Sequence, residues 1–201
     1  SFFSIFSMPL IEGDPRTALI EPNTVVISEK MAQKYFGSTT GVVGRTLRIN
    51  EHSDRRITGV MQNIPAQSHF HYDFLFSMST IEEGESDMWL SNNFQTYLLL
   101  RPGASAAQFP AYFKEITEKY LRPQFDRITG STLAAFEATG DFMKYSLQNI
   151  RDIHLYSDRG GEHEANSDIK YVWIFSAVAL IVLLLACVNF TNLSTARSMK
   201  R

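Results

Sequence analysis

Residues able to do chemistry are few and scattered in this chain. His69 and His71 stand two apart, and on a strand that spacing puts both imidazoles on one face, as a metal site can begin. No third ligand has a convincing spacing. His154 and the pair His163 and Glu164 could contribute only from afar, and histidines in solvated loops are the plainer reading. Glu82, Glu83, Glu85 and Asp87 could attract cations, although acidic runs of this kind mostly form solvated loops. For nucleophilic chemistry, Ser28 is better placed as a helix cap, with no Gly-x-Ser-x-Gly turn around it, and the single cysteine, Cys187, lies in an apolar run without a histidine partner. The stretch "GSTTGVVGR", residues 37–45, has glycines but lacks the Lys-Ser/Thr of a phosphate loop, and it precedes a strand rather than a helix. The sequence therefore assigns no catalytic, cofactor-binding or metal-ligating residue, and no cofactor.

The elements around these residues read as mixed helix and strand. "VVISEKMAQKYFG" predicts a short strand into a helix that Ser28 caps and Gly37 stops, with Met31, Ala32, Tyr35 and Phe36 on one face. "GRTLRIN" alternates, and "RRITGVMQNIP" gives a second strand ending before Pro65, so the two form a hairpin across the polar loop 50–55. Further strands are expected at 73–78 and 94–100. A second helix starts at Pro110, where proline is tolerated, with Phe109, Phe113, Ile116 and Tyr120 at helical spacing and Glu115 and Lys119 as an exposed pair; Arg122-Pro123 should end it. Met143, Tyr145 and Leu147 alternate as a late strand. A polar approach follows, with a turn at Gly160 and Gly161.

One segment is of another kind. "YVWIFSAVALIVLLLACVNF", Tyr171 to Phe190, is 20 residues without a charge, which is the length a bilayer core of about 30 Å requires. A buried core helix would usually be shorter and amphipathic, whereas this run is apolar all round. Tyr171 and Trp173 are at one end, where amphipathic rings favour the membrane boundary, Lys170 can snorkel just outside, and Phe190 closes the other end. Arg197, Lys200 and Arg201 follow with no acid among them, so the C-terminus is expected to be cytoplasmic. Residues 1–168 then lie outside and hold all 21 acids but only 15 of the 19 Lys and Arg, a charge of −6. That excludes a basic nucleic-acid surface. At 44% hydrophobic and 20% charged residues the composition is that of a globular domain, so 1–168 can bury one or two cores. "SFFSIFSMPLIEGDP" has no basic flank before an apolar core and is not a signal peptide, so a fragment of a longer protein is expected.

Five segments together carry a resemblance. "FFSIFSMPLIEGDPRTALIEPNTVVISEKMAQKYFG", "VVGRTLRIN", "ITGVMQNIPAQSHFHYDFLFSM", "DIHLYSD" and "VNFTNLSTARS" resemble, in order, segments of the MacB/FtsX-like ABC transporter permeases, in the large multi-span form common in Bacteroidota. None of the five is a catalytic signature. The resemblance implies an α+β fold: an extracytoplasmic, periplasmic core domain over 1–168, porter-like and made of βαβ units, with a smaller second lobe within about 103–150. A stalk and transmembrane helix would occupy 169–190, and 191–201 would begin the cytoplasmic-side permease region. It further implies an inner-membrane permease without ATPase chemistry of its own. Its expected partners are the lipid bilayer, an ABC ATPase subunit or domain, and a second permease half or homodimer partner, with a periplasmic adaptor or outer-membrane protein left open. Its expected work is relaying ATP-driven motion to export or release a substrate. Asn189, Asn192, Ser194 and Thr195 are candidates for hydrogen bonds to neighbouring spans. Topology and charge alone fit equally well the outer sensor domain of a membrane receptor.

Overall fold

The computed structural model describes residues 2–159 and 165–198. By compactness the chain divides into Ser1–Leu147 and Gln148–Arg201. The first unit opens with a short helix, α1 (Phe2–Ile5), and strand β1 (Leu10–Gly13), then runs β2 (Thr24–Ser28), α2 (Glu29–Phe36), β3 (Thr46–Ile49), β4 (Ser53–Met61) and β5 (Phe74–Phe76). These strands make one mixed sheet in the order β1-β4-β2-β5, with β3 also paired to β4. β2 and β4 are parallel, which requires a crossover, and α2 supplies it. β2 is buried throughout, as a parallel strand covered on both faces is, whereas β4 is polar and alternately exposed from Ser53 to Arg56 and buried at Ile57 and Gly59–Met61, where it runs beside β2.

Alternate residues of β2 explain the two layers. Val25 and Ile27 face α2 and pack with Met31, Ala32, Val42, Ile57 and Val60. Val26 faces the other way, toward Ala18 and Met61, with Phe3, Leu10 and Leu19 closing that side. Period two along a strand thus separates two cores. The expected hairpin is present, with Ile49 opposite Ser53, and it turns tightly because Asn50 and Glu51 take left-handed φ values of 50° and 62°. The connecting loop is therefore shorter than the 50–55 expected from polarity.

Helices fill the rest of this unit: α3 (Phe109–Ile116), α4 (Arg122–Thr129) and α5 (Leu133–Ala138). Pro110 sits at the start of α3 as expected. Pro123, however, does not end the helix. A wide π turn over Thr117–Leu121 joins α3 to α4, in which the Arg122 N–H bonds to the Thr117 carbonyl, and the helix runs on until Gly130 takes the left-handed conformation. One wide turn advances the inward face by one residue. Leu121, not Tyr120, is therefore buried, and with Phe125 and Leu133 it forms a third core against Trp89, Leu90, Phe136, Met143 and Tyr145. The close ion pair on this helix is Glu118 with Arg122, at 2.8 Å, while Glu115 acts on Lys119 through charge alone.

Two expected strands are irregular. Residues 94–100 carry no ladder, and Phe94, Leu98 and Leu99 are exposed. Met143, Tyr145 and Leu147 do alternate inward, also without a ladder. In the second unit, α6 (Ile153–Tyr156) precedes one long helix, α7 (Ile169–Ser198). The turn expected at Gly160 and Gly161 lies outside the described residues.

Candidate functional site

Ligands of sheets with parallel strands gather at the strands' C-terminal ends, so the groups at that edge are the first candidates. There β2 ends in Ser28, which is 1% exposed. Its Oγ donates to the Asp73 carboxylate at 2.7 Å and accepts from the Met31 N–H at 3.2 Å, which makes it the cap of α2. The Asn63 amide oxygen accepts from the Lys30 N–H at 3.0 Å, so a second free donor of the helix end is also satisfied. Lys30 Nζ lies 3.7 Å from Asp73. Each polar group here is engaged by a neighbour in the chain. A buried hydroxyl whose proton goes to a carboxylate, with no histidine beside it, is a structural cap and not a nucleophile.

The two histidines are not brought to one face. Both lie in the irregular segment between β4 and β5. His69 Nε2 is 3.2 Å from the Tyr97 hydroxyl, which itself donates to Gln95, whereas His71 Nε2 is 3.2 Å from the Ala66 carbonyl. Around His69 the rings of Phe2, Phe6, Phe70 and Tyr97 pack mostly edge to face. His154 is on α6, and His163 and Glu164 lie outside the described residues. Among the described residues, no three His, Cys, Asp or Glu side chains are placed to hold a metal ion. Glu82, Glu83 and Glu85 lie on an exposed short helical turn, Glu82–Glu85, and Asp87 follows it in irregular chain that Gln124 holds: its Nε2 donates to the Asp87 carbonyl and its Oε1 accepts from the Trp89 N–H.

One polar site is not visible in the sequence. The loop 41–43, which lacks a phosphate-loop signature, nevertheless turns successive backbone N–H groups onto one carboxylate, that of Glu12. Gly41 N donates to Oε1 at 3.0 Å, and Val42 N and Val43 N donate to Oε2 at 3.0 and 3.3 Å. The Val42 bond, ahead of the other two amides and nearby Arg45, holds the Glu12 carboxyl below the usual glutamate range, against an opposing effect of burial. Backbone donors from 29 to 31 positions away leave no mark on side-chain pattern.

The remaining candidate is α7. Its 30 residues extend about 45 Å at 1.5 Å each. It is long and apolar enough to cross a membrane, and none of its apolar stretch is buried within the chain. Tyr171, Trp173 and Phe190 are all on its exposed surface, Trp173 at 70%. Asp168 caps the start, accepting from the Lys170 N–H at 2.8 Å and pairing with Lys170 Nζ at 3.1 Å. These bonds, the backbone one first, hold Asp168 below the usual carboxylate range. From Lys170 to Arg197 is about 40 Å along the axis, close to the thickness of a bilayer with its headgroups. At the far end, Thr191 and Thr195 donate back to the Cys187 and Thr191 carbonyls of their own helix, so these hydroxyls need no neighbouring span.

The family profile described as the MacB-like periplasmic core domain matches residues 1–116. Among solved structures, the chain is similar to a domain of a protein assigned as a permease from Porphyromonas gingivalis, with a TM-score of 0.50 and 27% identity over 59% of this chain and 55% of that chain. It thus spans little more than half of that relative. Among curated proteins no match is found.

Proposed function

The chain belongs to the MacB-like periplasmic core domain family, and from that premise we propose that it is the periplasmic domain and adjoining membrane span of an ABC transporter permease that relays ATP-driven motion to a substrate on the outer side. The observation that carries this reading is the conjunction of the family's domain over residues 1–116 with an uncovered apolar helix at 169–198. A domain that moves as a lever needs internal rigidity and no reactive centre. The self-satisfied polar network at Ser28 and the two cores on either face of β2 suit that role.

In this reading α7 inserts in the inner membrane with Tyr171 and Trp173 at the periplasmic boundary, and Arg197, Lys200 and Arg201 remain in the cytoplasm. ATP is hydrolysed by a separate subunit or domain, and the permease works as a homodimer or with a second permease half. The direct test is to isolate the parent protein from its native membrane in mild detergent and identify its stoichiometric companions by mass spectrometry. An ABC ATPase is expected. A histidine kinase, or no ATPase under conditions where a control transporter stays assembled, overturns the proposal in favour of a sensor domain.

A further inference from the structure

The long strand β4 is paired along one side by β2 over most of its length, so β1 and β3 must share its other side. They do so end to end: β3 takes Ser53 to Arg56 and β1 takes Gly59 to Met61. Between them is a seam at Ile57 and Thr58. Gly44 and Arg45 close it partly, through Gly44 N to the Ile57 carbonyl and Ile57 N to the Arg45 carbonyl, both at 2.8 Å. β1 is only four residues long and its pairing is interrupted between Leu10 and Glu12, so its ladder is a weak attachment by itself.

At this seam Glu12 projects from β1 onto the amides of Gly41, Val42 and Val43, in the loop that leads into β3. We propose that these three amides form a carboxylate-binding nest whose resident ligand is Glu12, and that this clasp holds β1 in line with β3 on the shared edge of β4. Three convergent N–H groups are the arrangement by which backbone binds anions, and each bond to a charged acceptor is stronger than a neutral one. Gly41, at φ +68°, supplies the left-handed step that lets successive amides point the same way. The ligand class follows from the geometry: a small planar carboxylate, with one oxygen for Gly41 and the other shared by Val42 and Val43.

The clasp stands independently of the permease reading, and its test reads the domain within the full chain. In Glu12→Ala the nest is emptied. The melting temperature should fall by roughly 5 °C, amide exchange at 41–43 should accelerate, and formate or acetate should restore both saturably while equimolar chloride does not. In Glu12→Gln the side chain keeps its size but loses the charge and one acceptor. Because the native carboxyl is held below the usual glutamate range, its contribution is complete at neutral pH and is lost as the pH falls through that lowered value. The stability difference between the parent protein and Glu12→Gln should therefore shrink on acidification. An unchanged melting temperature and exchange pattern in Glu12→Ala would overturn the proposal. So would an equal gain from acetate in parent and variant, or a pH-independent gap for Glu12→Gln.

Discussion

Ser28 serves two partners at once, donating to the Asp73 carboxylate and accepting from the Met31 N–H, so its loss leaves both without a match at a buried helix end. Ser28→Ala should cost about 1–2 kcal/mol in urea unfolding. Glycines separate by what surrounds them. Gly37 takes φ +69° with open space where a Cβ would stand, so Gly37→Ala should cost only about 1 kcal/mol, from backbone strain. Gly13 takes φ +103°, and a Cβ there would lie 2.4 Å from the Thr58 carbonyl oxygen. Gly13→Ala should cost clearly more, about 3 kcal/mol or above, and equilibrium denaturation of the two variants side by side checks the order. These residues also differ in how far their roles are legible in sequence. A cap is a local device, since the residue that stops a strand and starts a helix offers an acceptor to a donor three positions on, and Ser28 can be read from its neighbours. Glu12 cannot, because its partners are backbone groups with no chemical identity of their own.

Elements are legible where periodicity and punctuation agree. The helix from Glu29 to Phe36 has both an amphipathic face and a cap at each end, and the hairpin strands alternate on either side of a polar turn. The departures have separate causes. The run at 94–100 is rich in aromatic and apolar residues that suit a strand but names no partner strand, and β structure forms only when a ladder is available. Pro123 looks like a stop because proline cannot donate, yet a π turn has already displaced the hydrogen-bond pattern that it would break. That displacement puts Leu121 into a core with Phe125 and Leu133 that shares no buried residue with either sheet core. Leu133, 0% exposed, is a central member of it. Leu133→Ala should cost about 2–5 kcal/mol, and the loss should appear as faster amide exchange in 121–138 with exchange in β2 and β4 unchanged. Equal acceleration in the sheet would mean that the helices and the sheet unfold as one cooperative body.

The whole molecule is legible through its two most different parts, because a candidate span is a matter of length and polarity and the family is carried by five ordered segments, three in the sheet domain and two beyond it. The direction of the span rests on charge alone. Charge distribution works as a topological signal because Lys and Arg resist translocation and acids contribute little, so Arg197, Lys200 and Arg201 predict a cytoplasmic end although the domain beyond the other end is net acidic. The chain has one cysteine, Cys187, on the exposed surface of α7; it stands 16 positions after Tyr171 and 10 before Arg197, well inside both ends of the helix. With Cys187→Ser as background, Ser167→Cys and Ser198→Cys place a thiol at each end of α7. In intact spheroplasts a membrane-impermeant maleimide should label the first variant and not the second, which should label only after permeabilisation. The parent protein's Cys187 should stay unlabelled in both cases, because the bilayer core that accommodates the surrounding leucines and valines excludes a charged reagent. Labelling of Ser198→Cys from outside would invert the topology, and rapid labelling of Cys187 would remove α7 from the membrane altogether.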